Sequence, residues 1–184
     1  MPDVDALLRA TGAVLNGHFQ LASGRHSAVY VEKFRIMERP EATTALCGMI
    51  AERFRESGAA VVVGPAMGGV ILAFEIARQM GLRSIFAEKD ANGGLFFDRG
   101  FALREDEPVL VVDDVLTTGG SVRQVIALLE EAKARVVGIS FLIDRTNGGV
   151  DFGPPLFACH RMDIESWPAA DCPLCRQGLP LIET

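Results

Sequence analysis

The chain has 184 residues, 49% hydrophobic and 23% charged, with a formal net charge of −6. Its length suits one globular domain with a sizeable core, and its acidic balance leaves no electrostatic footprint for nucleic acid or an anionic membrane. No apolar run approaches the ~20 residues of a membrane span, and the acidic opening MPDVDALLRATG is too short in apolar length for a secretory leader, so a cytoplasmic protein is expected.

Residues 3–11 read as a short helix with Val4, Leu7 and Leu8 on one face. Residues 12–37 alternate loosely, are broken at Gly17 and Gly24, and suggest short strands or hairpins. A helix is expected from Pro40 to Ser57, with Leu46, Ile50 and Phe54 as its stripe. AAVVVG, Ala59 to Gly64, is a buried strand followed by the glycine-rich PAMGG and the helix VILAFEIARQM. Such a strand–loop–helix unit can offer free helix-terminal N–H groups to an anion, although a tight turn needing glycine explains the loop equally well. Ser84 to Lys89 is a third strand, Asp90 to Gly94 a turn, and the stretch from Leu95 into DRGFALRED a two-stranded excursion.

The most informative stretch is VLVVDDVLTTGGSV, Val109 to Val122. A β-branched run, Val109–Val112, reads as a buried strand ending in Asp113 and Asp114. Thr117, Thr118, Gly119, Gly120 and Ser121 then lead into the helix VRQVIALLEEAKA. In open α/β sheets ligands bind outside the carboxyl ends of the strands, and hydroxyls, glycines and a helix N-terminus there make a phosphate cradle. Carboxylates beside such a cradle would repel an anion unless they meet ribose hydroxyls or a ligand-held Mg²⁺, so a sugar phosphate explains both features. Neither the dinucleotide-fold nor the P-loop glycine spacing is present. A fourth strand, Arg135 to Ile143, ends in DRTNGG, residues 144–149. Strands alternating with helices imply an open, mainly parallel sheet flanked by helices. The chain is expected to be one domain, with a core of about 40–149 and a hood from about 12–37 and 150–184.

VLVVDDVLTTGGS resembles the phosphoribosyl pyrophosphate (PRPP) signature of the type I phosphoribosyltransferase family. GHFQLASGRHS (17–27), VVVGPAMGGVILA (61–73) and the pair Asp144-Arg145 are similar to motifs of its orotate-using branch, and CPLCRQGLPL resembles a tail found among bacterial members. The resemblance implies transfer of a 5-phosphoribosyl group from PRPP to orotate in pyrimidine nucleotide synthesis, with Mg²⁺ as cofactor. It implies that Asp113 and Asp114 face the ribose, with Asp114 catalytic, that Val115 and Leu116 belong to the PRPP site, and that Thr117–Ser121 wrap the 5′-phosphate. It assigns Ala66, Met67, Gly68 and Gly69 to pyrophosphate, Thr117 and Arg145 to orotate, and Lys89 to PRPP binding and catalysis. Mg²⁺ would be held mainly by PRPP, and the family's mobile loop implies a homodimer with shared sites.

The family carries a basic residue where this chain has Ala22, and a loop richer in cations than FAEKDANGG, where Lys89 remains and Glu88 replaces an arginine; Arg99 or Arg104 would have to supply the missing charge. A different base, or a PRPP-binding regulator without catalysis, are the alternatives. Lys89 could also pair simply with Glu88 or Asp90, and Arg145 with Asp144 or Asp151. His18, His26 and His160 read as solvated or hydrogen-bonded structural residues. The four cysteines do not form a disulfide framework. Cys172 and Cys175 have the spacing of half a zinc site, with Cys159 and His160 as the candidate other half; a reduced turn or a redox pair is the alternative.

Overall fold

The computed structural model describes residues 2–21, 23–146 and 148–184. Helix α1 (Val4–Thr11) begins where Asp3 accepts a hydrogen bond from the Ala6 N–H at 3.0 Å and stops at left-handed Gly12. Strands β1 (Val14–Gln20) and β2 (His26–Val31) form an antiparallel pair. After a single turn, α2 (Phe34–Met37), comes α3 (Pro40–Arg53), with proline in its first turn where a missing N–H costs nothing. The remaining order is β3 (Val61–Pro65), α4 (Gly68–Met80), β4 (Arg83–Lys89), β5 (Leu95–Phe96), β6 (Pro108–Leu116), α5 (Gly120–Glu131), β7 (Arg135–Asp144), β8 (Leu156–Arg161), β9 (Ser166–Trp167), α6 (Pro173–Arg176) and β10 (Ile182–Glu183).

The strands form two sheets. The larger has the order β5-β4-β3-β6-β7-β8 and is parallel except for β5. Because side chains alternate along a strand, Val61 and Val63 pack with Val122, Val125 and Leu129 of α5. Val62 packs on the opposite face with Leu46, Ile50, Leu72 and Ile76 of α3 and α4. Both faces are covered, as a parallel sheet requires. The smaller sheet, β10-β1-β2-β9, draws strands from both ends of the chain and is the hood. No helix of the described residues is long and apolar enough to cross a membrane.

Three expectations change. Strand β8 pairs with β7 in the larger sheet, so the core extends past residue 149 and only the segment after β8 contributes hood strands. Strand β6 runs through Asp113 and Asp114 to Leu116, because β7 is long enough to give those residues ladder partners in Phe141 to Asp144. After Lys89 only Leu95 and Phe96 pair back, and no second strand forms before β6.

The β3–α4 crossing depends on two facing glycines. A Cβ on Gly69 would meet Pro65 Cδ at 2.7 Å and the Gly64 backbone at 3.0 Å. Backbone cannot yield as a flexible side chain does, so Gly69→Ala is expected to lower stability by about 1–3 kcal/mol, measured by urea denaturation.

Candidate active site

The carboxyl ends of β3, β4, β6 and β7 meet at one edge of the larger sheet, under the hood. A cleft of about 750 Å³ opens there, lined by Lys33, Ala66, Gly68, Lys89, Asp113, Asp114, Thr117 and Arg145 among others. A second lobe of about 300 Å³ is lined by Lys89, Gly93, Asp113 and the whole of Thr117–Ser121. Most of the candidate residues for PRPP and orotate are therefore brought together around one space; Gly69 and the buried Leu116 line neither lobe.

The small lobe has the chemistry of a phosphate cradle. Helix α5 starts at Gly120 with no side chain capping it, so its first N–H groups face the lobe. The hydroxyls of Thr117, Thr118 and Ser121 line the same lobe without a hydrogen-bond partner among the described residues. Gly119 is required, since its φ is +77° and a Cβ would meet Phe152 Cζ at 2.6 Å. Val115 and Leu116 are the last ladder residues of β6 and bring the chain into this loop.

The two acids part company. Asp114 is 5% exposed, and its carboxylate is 3.0 Å from the Lys33 ammonium while accepting the Val115 N–H at 2.7 Å. Its Oδ2 also fills the space where a Gly68 side chain would stand, so the Asp114 carboxylate packs on the start of α4. Burial alone would lower the Lys33 ammonium, but the charge and hydrogen bond of Asp114, with smaller help from Asp113, hold it above its ordinary value. Asp113 instead lines both lobes. Desolvation first, then the Asp114 charge, push its carboxyl up to about 7, against the opposing pull of Lys33 and Lys89.

The simple ion-pair readings of Lys89 and Arg145 are not seen. Glu88 is taken by Arg99 at 2.6 Å, and Asp90 turns inward to accept the Asn92 and Gly94 N–H groups at 2.7 and 2.8 Å. Arg99 is thus committed to Glu88, and Arg104 pairs with buried Glu107 ahead of β6, at the opposite edge of the sheet. Neither restores loop charge. Asp144 accepts the Thr146 N–H at 2.8 Å and faces Arg161 at 3.6 Å, while Asp151 accepts the Gly153 N–H at 2.8 Å. Arg145 is left with a buried Nε lacking a hydrogen-bond partner among the described residues, and burial lowers its guanidinium from the ordinary value, with Tyr30 opposing. A buried cationic donor without a partner, beside a cleft, is suited to an anion.

Sequence reasoning missed Lys33 and Arg25. Arg25 lines the cleft with its Nε donating to Ser166 Oγ at 2.9 Å. Both residues reach partners far along the chain, so no local pattern marks them. The departure at Ala22 lies outside the described residues.

The raised Asp113 carboxyl has a consequence for stability. Below ~3.9, the ordinary carboxyl value, folded and unfolded chains both hold the proton. As pH rises toward about 7 the unfolded chain releases it first, so the wild-type fold loses stability over that window. Asp113→Asn is expected to be neutral at the acid end and stabilising by about 1 kcal/mol or more at pH ~8, read from thermal melts across the range. A gain independent of pH would contradict the raised carboxyl.

A family model for the phosphoribosyl transferase domain matches residues 35–152. An orotate phosphoribosyltransferase of Pelotomaculum thermopropionicum is 43% identical over 98% of this chain and 95% of its own. One from Thermotoga petrophila is 46% identical over 96% and 94%. Among solved structures, the orotate phosphoribosyltransferase of Aeropyrum pernix superposes with a TM-score of 0.75 at 26% identity, covering 86% of this chain and 93% of that one. An adenine phosphoribosyltransferase of Thermoanaerobacter pseudethanolicus, at 17% identity and a TM-score of 0.64, covering 73% of this chain and 88% of its own, shares the fold. With one half of the resemblance running through the cleft-lining strands and the other along nearly the full chain, this protein belongs to the phosphoribosyltransferase family, in its orotate phosphoribosyltransferase branch.

Proposed function

We propose that the protein transfers the 5-phosphoribosyl group of PRPP to orotate, giving orotidine 5′-phosphate and pyrophosphate, as a cytoplasmic enzyme of pyrimidine nucleotide synthesis. The observation that carries this reading is the unpartnered Arg145 guanidinium in the same cleft as the phosphate cradle. A base bearing a carboxylate satisfies that donor in a bidentate fork, whereas uracil or adenine leaves it buried and unpaired.

The 5′-phosphate sits on Thr117–Ser121 and the start of α5. Asp113 accepts from the ribose hydroxyls, while Asp114, committed to Lys33, acts by holding that lysine at the cleft wall. The 3.0 Å pair and the burial of the carboxylate support this reading over a direct catalytic role for Asp114. Pyrophosphate lies toward Ala66–Gly69, where the N-terminal end of α4 and the cations Lys33 and Lys89 meet the charge that grows as the C1′–oxygen bond breaks. A ring nitrogen of orotate, having lost its proton, takes the vacated position on C1′. The oxocarbenium character of that transition state calls for alignment rather than a protein nucleophile. Asp113 would be the carboxylate available to a Mg²⁺ ion brought with PRPP, since Asp114 pairs with Lys33, and such an ion would supply Lewis acidity to the leaving group. Thr117, between cradle and base, contributes its amide and hydroxyl to the orotate carbonyls.

The protein acts as a homodimer. Met67, Ile71 and Phe74, at i, i+4 and i+7 along α4, are 72%, 40% and 64% exposed, an apolar stripe that a second copy would cover. Lys89 and Gly93 line the cleft of their own chain. Sharing between subunits therefore requires the 90–94 turn to swing outward, a motion that complementation by mixed inactive variants would detect. Phe74→Glu is expected to shift the sedimentation coefficient to that of a monomer, and an unchanged dimer would move the interface off α4.

Activity is tested by following orotate ultraviolet absorbance with PRPP and Mg²⁺. Arg145→Ala should raise the KM for orotate by ~30-fold, about 2 kcal/mol, with that for PRPP nearly unchanged. Equal effects on both would make Arg145 structural. Lys89→Ala should cut kcat more than tenfold, about 1.4 kcal/mol of barrier, with an unchanged melting temperature. Wild-type turnover would remove Lys89 from the mechanism.

A further inference from the structure

We propose that His18, His26, Cys172 and Cys175 form a structural zinc site that clamps the C-terminal tail to the hood. Their ligand atoms all lie within 4.8 Å of one another. His18 Nε2 is 3.1 Å from His26 Nδ1, 3.5 Å from Cys172 Sγ and 3.6 Å from Cys175 Sγ, and Cys175 Sγ is 3.3 Å from His26 Nδ1. For a tetrahedral ion with metal–nitrogen bonds of ~2.05 Å and metal–sulfur bonds of ~2.3 Å, nitrogen pairs stand roughly 3.3 Å apart and nitrogen–sulfur pairs roughly 3.6 Å. All four separations agree with these values to about 0.3 Å.

The surroundings are those of a ligand set. His18 Nδ1 is 2.9 Å from the Leu179 carbonyl, which can only accept, so that nitrogen carries the proton and Nε2 presents a bare lone pair to the cluster. His18, His26 and Cys172 are 3%, 5% and 0% exposed, and both cysteines are free thiols. Without a cation, the lone pairs meeting at this point have only weak S–H donors to satisfy them. Two imidazoles and two sulfurs in tetrahedral spacing suit zinc among the available divalent metals.

The tail supplies an independent reason. Every residue from Cys175 to Thr184 is exposed, including Leu179, Leu181 and Ile182, so apolar burial does little to hold this segment. Yet β10 pairs with β1, and Thr184 Oγ1 donates to the Gln20 carbonyl at 2.8 Å. A metal bond supplies the anchoring energy that a small hydrophobic contact cannot. The clamp also fixes the roof of the cleft, because Leu21, Ser23 and Arg25 lie in the turn between the two histidines and line it.

The sequence expectation that Cys159 and His160 complete the site is corrected. Strand β8 belongs to the larger sheet, where the Cys159 thiol meets the Leu46 carbonyl at 3.4 Å and His160 faces Asp5 at 3.4 Å. His18 and His26 are the missing half; of the two readings offered for them, they are buried and hydrogen-bonded, not solvated.

The test uses the full chain purified without chelator from zinc-supplemented cells, analysed for metal in the absence of substrates, so that failure of the transferase reading leaves it intact. About one zinc per chain is expected, together with the visible absorption of a tetrahedral centre after Co²⁺ exchange. Cys172→Ser/Cys175→Ser should abolish retention. Cys175→Ser alone, an exposed and nearly isosteric change, should fold and weaken zinc at least tenfold against a chromophoric chelator. Metal-free wild-type protein that refuses added zinc, a Cys172–Cys175 disulfide in the isolated protein, or wild-type zinc retention by Cys175→Ser would each overturn the proposal.

Discussion

The Lys33–Asp114 pair is the contact on which the cleft depends. It joins the residue just before α2, at the end of the hood's β1–β2 pair, to the central strand of the larger sheet. Two consecutive aspartates on a strand point to opposite faces, so β6 divides them without any special backbone geometry. Both carboxylates border the cleft, but only that of Asp114 is paired with an internal cation. The same pair brings an ammonium to the cleft wall, where an anionic substrate needs it, and its carboxylate leaves room for nothing but glycine at position 68. Removing the acid would strand a half-buried lysine as well as loosen the start of α4, so the pair is structural and functional at once.

That division explains why the free acid is costly. Asp113 keeps its charge only against desolvation and a neighbouring carboxylate. Functional sites commonly hold groups in environments that cost stability, and the desolvated Asp113 carboxyl is such a group. Arg145 is the mirror case: a cation half-withdrawn from water whose Nε has no hydrogen-bond partner among the described residues. The elements that deliver the two groups, β6 and β7, are adjacent parallel strands in register to their last residues, so acid and guanidinium are held on rigid backbone.

Much of this was legible because it is local. The run Val109–Val112, the acids and the small-residue loop declare strand, site and helix start within 14 consecutive positions of the printed sequence, and the alternation of strands with helices fixes the sheet as parallel. The ends of strands were less legible: β6 continues past its apolar run because β7 supplies partners, which is information held by another segment. Lys33 is 81 residues from Asp114 and the two zinc-site halves are about 150 residues apart, separations at which composition and periodicity carry no signal. The cysteine pair lies beside His18 and His26 rather than the Cys-His pair nearest in sequence, because β8 belongs to the larger sheet.

The hood illustrates what a sequence without a strong apolar pattern needs in order to fold. Its edge strands β9 and β10 are two residues each, too short to hold position by ladder bonds alone. Arg25 binds Ser166 across 141 residues, Ser27 donates to the Glu165 carbonyl at 2.8 Å, and the histidine–cysteine cluster gathers both termini at one point. Polar contacts there supplement the burial of Phe19 and Val31. Such contacts are directional, and directionality is what a roof over a binding cleft requires, since a greasy interface would tolerate sliding that a pocket for a planar base cannot. The larger sheet is held mainly by burial, the hood by burial of Phe19 and Val31 together with these polar contacts, and the cleft lies where the two meet.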